Sequence, residues 1–145
     1  MGSTIRPSVS APVPLPPGLL PDLSRHARTY LMRGFTVVEV HGTVDLVTAP
    51  DVQLHLDAAT RPAGARVIVD LRPVDFFDCA VLTQLCRARR RIRERAGHLG
   101  VVCVRPWHLR VLAAARLDTV LRPAESIEEA ALAALARSGP DVNPR

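Results

Sequence analysis

The sequence predicts an α/β domain: a mixed, largely parallel sheet of about five strands with about four helices packed mainly on one side. Three observations carry that expectation. Short β-branched runs alternate with stretches of helical periodicity from residue 27 onward, the order of a sheet with helices packed on it. Val67-Ile68-Val69 is apolar at successive positions, the pattern of a strand covered on both faces. From Cys79 the apolar positions Val81, Leu85, Ala88, Ile92 and Ala96 recur every three or four residues, which is one helical face, and a further apolar run follows at Leu99 to Val104. Strand, helix and strand in that order make a βαβ unit, and right-handed crossovers put most helices on one side.

Taken in order, residues 1–26 contain PSVSAPVPLPPGLLP, too proline-rich for a helix or a central strand, and read as a disordered, polyproline-like arm. Ala27 to Met32 and Phe35 to Val40 (FTVVEV) read as strands, and Arg33-Gly34 between them suits a hairpin. Thr48 stands where it can cap a helix, with Pro50 and Asp51 in or near the first turn. Val52, Leu54, His55, Leu56 and Ala59 continue that helix until Arg61-Pro62-Ala63-Gly64 ends it. After the strand at Val67 to Val69, Arg72-Pro73 breaks the pattern and residues 74–77 carry the chain to Asp78. The Asp78 carboxylate can accept a hydrogen bond from the first turn of the helix that begins at Cys79, and Gly97 stops that helix. Pro106 to Arg116 reads as a short helix and Val120-Leu121 as a short last strand. Ser126-Ile127-Glu128-Glu129 resembles a capping box opening the final helix. The folded domain then spans residues 27–137, and residues 138–145 form a flexible tail.

A chain of 145 residues is one domain's worth, and 48% hydrophobic with 3% aromatic residues implies an aliphatic, alanine-rich core. The net charge is +5, yet all 19 Lys+Arg residues are Arg, which reflects a GC-rich genome better than selection for nucleic acid. The run Arg87 to Arg95 fans over the outer face of its helix with no aromatic interleaved for stacking, so no nucleic-acid role is expected. The apolar runs are too short for the roughly 20 residues that span a bilayer, and no signal-like segment precedes the domain. An odd count of 3 cysteines, placed along the expected core, argues for a reducing cytoplasm over a disulfide framework. His26, His41, His55, His98 and His108 are scattered without a ligand or triad spacing, so neither a metal nor a cofactor is expected.

Three segments together resemble the STAS domain family, the fold of bacterial anti-sigma factor antagonists. Gly42-Thr43-Val44-Asp45 with Thr48-Ala49-Pro50 is like that family's G-x-[LV]-D followed by T-A-P. Val67 to Leu71, then Val74 to Asp78, is like its strand and D-S-[SA]-G switch loop. Leu117-Asp118-Thr119-Val120-Leu121, followed by Ser126-Ile127-Glu128-Glu129-Ala130, is like its G-L-D-x-V-[FL] and S-x-E-E-A. The resemblance implies a non-catalytic regulator that binds a serine-kinase-type anti-sigma factor or a related regulatory protein, with a homodimer left open. In that family the Ser after the loop Asp is phosphorylated, and the added negative charge abolishes binding. Cys79 stands at that position, followed by Ala80, and Val81 replaces the usual Gly. A thiol is not a Ser/Thr kinase substrate, so the off-switch is expected to be missing.

The residues expected to meet the partner are Asp45, Thr48, Asp75, Phe77, Asp78, Cys79, Ala80 and Leu82. Asp78 also reads as a helix cap, and Asp45 as a solvated turn residue. The competing reading is a thiol-based redox sensor or Cys-dependent enzyme using Cys79, since a thiol at a helix N-terminus can become reactive. Asp75 and Asp78 oppose that, and a nucleophile would need an activating base. Cys86 lies two turns on, about 10.5 Å along the helix, too far for a disulfide with Cys79.

Overall fold

The computed structural model describes Val13–Pro14 and residues 26–136. The paired strands β2 (Ala27–Met32) and β3 (Phe35–Val40) form the expected hairpin, from Ala27 opposite Val40 to Met32 opposite Phe35. Its two turn residues, Arg33 and Gly34, both have positive φ (56° and 80°), which matches the twist of the strands they join. Two more strands, β5 (Arg66–Asp70) and β7 (His98–Val102), extend the sheet in parallel from β3. On the other edge β1 (Val13–Pro14) runs antiparallel to β2, opposite Leu31 and Tyr30, giving the order β1-β2-β3-β5-β7. The rest of the expected arm, and the expected tail, lie outside the described residues.

Two of the long strands, β3 and β5, each feed a short extension. The segments β4 (Gly42–Val44) and β6 (Val74–Phe77), which follow β3 and β5 in the chain, pair in parallel as a second, two-stranded sheet. Neither was expected as a strand. They are too short to announce themselves by periodicity, and each becomes a strand only because the other lies beside it. Gly42 makes the bend between β3 and β4 with φ of 72°, a region that costs a side-chain-bearing residue strain. The corner before β6 is held by Asp70, 1% exposed, whose carboxylate accepts from Arg72 Nε at 3.0 Å, Arg72 Nη2 at 2.9 Å and the Arg72 amide at 3.0 Å.

Helices cover both faces of the main sheet unequally. The strand residues Val38, Val40, Val67, Val69 and Val101 face one core, shared with α1 (Ala49–Ala59), α2 (Cys79–Glu94) and Leu112 of α3 (Pro106–Ala114). Alternate residues Phe35, Val37, Ile68 and Val102 face a second, smaller core under α5 (Ile127–Ala136). Most helices therefore lie on one side, as expected. At the start of α5, Ser126 Oγ accepts from the Glu129 amide at 3.1 Å and the Glu129 carboxylate from the Glu125 amide at 2.9 Å, so the acidic first turn is tied down.

The expected last strand at Val120-Leu121 is instead part of a short helix, α4 (Asp118–Leu121), closed by Leu121 N to Leu117 O at 2.7 Å and Arg122 N to Asp118 O at 2.9 Å. Leu121 points into the core while the edge of β7 is met by Ala124, bridged in parallel to Val102. A two-residue apolar run buries the same side chain either way, so periodicity could not separate the two. The cysteines also depart from expectation: Cys103 is buried, but Cys79 and Cys86 are exposed.

Gly100 of β7 lies directly under α5: a Cβ there would sit 2.8 Å from the Ala130 carbonyl oxygen and 3.2 Å from its carbon. Backbone cannot yield as a side-chain tip can, so Gly100→Ala should destabilise the fold by roughly 1–3 kcal/mol. Chemical denaturation should show a lower midpoint at an unchanged slope; an unchanged midpoint would contradict the packing of α5 on β7.

Candidate functional site

Two loops leave the second sheet side by side. Because β4 and β6 are parallel and Val44 pairs with Phe77, the segment Asp45–Thr48 that enters α1 and the segment Asp78–Cys79 that enters α2 start from neighbouring positions. Gln84 ties the helices they open: its side-chain amide donates to the Ala49 carbonyl at 2.6 Å while the residue is 5% exposed. A single hydrogen bond thus joins the second turn of α2 to the first residue of α1.

The Asp45 loop is a side-chain-closed turn. The Asp45 carboxylate accepts from the Val47 amide at 2.9 Å and the Thr48 amide at 3.1 Å, and the Thr48 hydroxyl accepts from the Asp45 amide at 3.0 Å. Thr48 occupies the N-cap position of α1 as expected, but its hydroxyl serves this turn and makes no cap bond to the helix. The arrangement pushes Leu46 and Val47 outward, 78% and 84% exposed. Hydrogen bonds from Thr48 and then Val47 favour the ionised carboxylate and hold Asp45 below its ordinary value of 3.8.

The second loop behaves as expected at its cap. Asp78 has extended backbone and accepts from the Ala80 amide at 2.8 Å, leaving Cys79 at the first helical position with its side chain exposed. Ala80 and Leu82 are half-buried and pack against the core, Asp75 is exposed, and Thr83 Oγ1 donates to the Cys79 carbonyl at 3.2 Å. Phe77, expected at the surface, is 3% exposed: it lies against the His108 ring with centroids 4.7 Å apart. Its neighbour Phe76 is the exposed ring, at 47%. One residue of register decides this, and loop-like reading of residues 74–77 offered no register.

The start of α3 completes this end of the molecule, and no motif in the sequence pointed to it. Arg105 Nη1 lies 3.7 Å from Asp75 Oδ1, and the buried His108 donates through Nε2 to the Asp75 carbonyl at 3.3 Å. Burial holds His108 below its ordinary value of 6.5, against the opposing pull of that carbonyl, so the ring is neutral near pH 7. Trp107, beside it, is 58% exposed. Two arginines of α2 are held against α1 and its end: Arg87 pairs with Asp57 at 3.0 Å, and Arg91 bonds Thr60 at 2.9 Å. Burial pushes the Cys103 thiol up to about 11, which leaves it inert. Among the described residues no group of three or more His, Cys, Asp or Glu is placed to hold a metal, and no helix is long and apolar enough to cross a membrane.

The depressed value at Asp45 gives a pH signature. Its loop bonds persist above the unfolded carboxylate value near 3.8 and are lost as pH falls through the lower folded value. The Val47 and Thr48 amide resonances should therefore titrate together with a midpoint below 3.8, and Asp45→Asn should abolish that titration. A midpoint at or above the ordinary value would show that the turn is not held this way.

The comparisons with known proteins agree with this geometry. A family model described as STAS domain matches residues 26–130. Among solved structures, an anti-sigma factor antagonist from Mycobacterium paratuberculosis is 25% identical with a TM-score of 0.68, covering 75% of this chain and 92% of that one. A STAS domain protein from Planctomyces limnophilus, also described as an anti-sigma-factor antagonist, is 24% identical with a TM-score of 0.67, covering 76% and 98%. The Bacillus cell fate determinant SpoIIAA in its phosphorylated form is 19% identical with a TM-score of 0.56, covering 72% and 95%. No curated protein matches the chain significantly. With the family pattern spanning most of the described residues and the fold shared along nearly the full length of these structures, the chain belongs to the STAS domain family.

Proposed function

We propose that this protein is a non-catalytic, cytoplasmic anti-sigma factor antagonist, a bacterial regulator of transcription that acts by binding a serine-kinase-type anti-sigma factor or a related regulatory protein. The observation that carries the reading is the pairing of Val44 with Phe77, which sets the Asp45 loop beside the exposed Cys79 at the start of α2. Asp45, Thr48, Asp75, Asp78, Cys79, Ala80 and Leu82 belong to that surface or to its immediate support, and Phe77 holds it from beneath. The anti-sigma factor antagonists among its structural relatives favour the same partner class.

Cys79 sets the regulation. In the family's switch a kinase places phosphate on the Ser at this position, and about two negative charges then enter the interface beside existing carboxylates. Asp75 and Asp78 both precede Cys79 within four residues, so charge repulsion would act here as well. A thiol gives a Ser/Thr kinase no hydroxyl, and the complex is expected to persist in ATP. Exposure of Cys79 also suits the second reading, a thiol-based redox sensor.

One substitution separates these readings. With a cognate kinase-type anti-sigma factor and ATP, the native chain should stay bound and unlabelled, while Cys79→Ser should take up phosphate and dissociate. Phosphate on the native chain, or ATP-dependent release of it, would contradict the missing switch. Binding that is lost on mild oxidation and recovered with thiol reductant, but not in Cys79→Ser, would favour the redox sensor.

A further inference from the structure

Two of the three cysteines share the outer face of α2. Cys79 and Cys86 are seven residues apart, which places them two turns apart and within about 20° of one another around the helix. Both are exposed, as are Thr83 between them and Arg90 one turn further on, while Val81, Leu85, Ala88 and Ile92 turn inward. The stripe points to solvent, and no bridge can form within it. Its two Cα atoms stand about 10.5 Å apart along the axis, beyond the span of a disulfide. Cys103 is buried and takes no part.

Charge along the same stretch is ordered. Asp75 and Asp78 stand just before Cys79, and Arg90 and Arg93 follow Cys86. The Asp75 side chain is 69% exposed even beside Arg105, and Arg90 is exposed at the far end of the thiol stripe. Turned end for end, this order is its own complement: acid meets base at both ends, and each thiol meets the other.

We propose that oxidation joins two copies of this chain through Cys79–Cys86 disulfides between antiparallel α2 helices. A twofold axis near Leu82 and Thr83 sets Cys79 of each copy against Cys86 of the other, and Arg90 of each beside Asp75 of the other. A parallel pair would set like charges together, and antiparallel helix dipoles add to the same preference. Helix axes packed about 8–10 Å apart bring facing Cα atoms within the roughly 4.4–6.8 Å that a disulfide spans. The small side chains of the stripe permit that approach. A different protein would need both the thiol spacing and the reversed charge order, which a second copy has by construction.

The oxidant is a low-molecular-weight disulfide. Cys79 thiolate attacks it, forming a mixed disulfide and releasing one small thiol, and Cys86 of the second copy then displaces the other. Each bridge makes one S–S bond from two cysteine thiols, whose two electrons and two protons end on the two small thiols released. The dimer covers Cys79 and the first turn of α2, so it supplies the off-switch that a thiol denies to a kinase. That consequence, unlike the dimer itself, rests on the partner-binding function above.

The full chain is treated with glutathione disulfide and followed by non-reducing electrophoresis and mass spectrometry of its peptides. A covalent dimer should form, revert with thiol reductant, and yield a Cys79–Cys86 peptide pair that joins isotope-labelled to unlabelled chains. Cys79→Ser and Cys86→Ser should each lose the dimer alone, and an equal mixture of the two should recover it through the one remaining Cys79–Cys86 pair. Arg90→Glu should form it severalfold more slowly. A native chain that stays monomeric, single variants that dimerise as well as the native chain, or a mixture that forms no dimer would overturn the pairing and leave the partner-binding function untouched. The purified dimer should fail to bind the serine-kinase-type anti-sigma factors that the reduced chain and reduced Cys86→Ser bind. A dimer that binds them as well as the reduced chain would overturn the switch. If the reduced chain binds none of them, the switch falls together with the partner-binding function, while the disulfide pairing stands on its own result.

Discussion

Parallel pairing of two very short strands is the constraint on which the functional end depends. The pairs β4 and β6 contribute three and four residues, too few to be stable alone. They are held because β3 and β5 already run in parallel beneath them, so the strand extensions emerge in register for pairing. Gly42 bends one extension, and the Asp70–Arg72 contacts fix the corner of the other. Gln84 then joins the helices that follow. Every group at this end inherits its position from this sequence of attachments, so a loss in the corner at Asp70 would reach Cys79 without touching it.

Charge in this protein is more informative by location than by sum. Four arginines are engaged within the fold: Arg72 on Asp70, Arg87 and Arg91 on Asp57 and Thr60, Arg28 on Glu39 at 3.0 Å. Partly exposed pairs of this kind add little stability. The carboxylates of Asp45 and Asp78 are engaged by backbone amides, which satisfy lone pairs without cancelling charge. The outcome is a basic protein with an acidic, apolar end.

Under the proposed function, the thiol at residue 79 would change the chemistry of a position where the resemblance implies a hydroxyl. Asp78 still caps the helix, and the side chain at 79 is still exposed. What differs is which reaction can reach it. Val81 is 2% exposed and belongs to the core, so the first turn of α2 is anchored by packing.

The elements whose signal is local were legible in the sequence alone. The hairpin turn at Arg33-Gly34, the buried run of β5, the 3.6-residue period of α2 and the Asp78 cap are each decided by residues within a turn or two of one another, and the family resemblance followed from motifs embedded in them. What depended on distant partners was not legible. The strands β4 and β6 exist only as a pair some thirty residues apart, and that pairing settles that Phe76, rather than Phe77, faces outward. The helix at Asp118–Leu121 buries the same leucine that a strand would have buried, and the β7 edge is met by Ala124. Trp107 carried no motif; its place beside the docking loops comes from His108 packing on Phe77, a contact across 31 residues that only the folded chain could form.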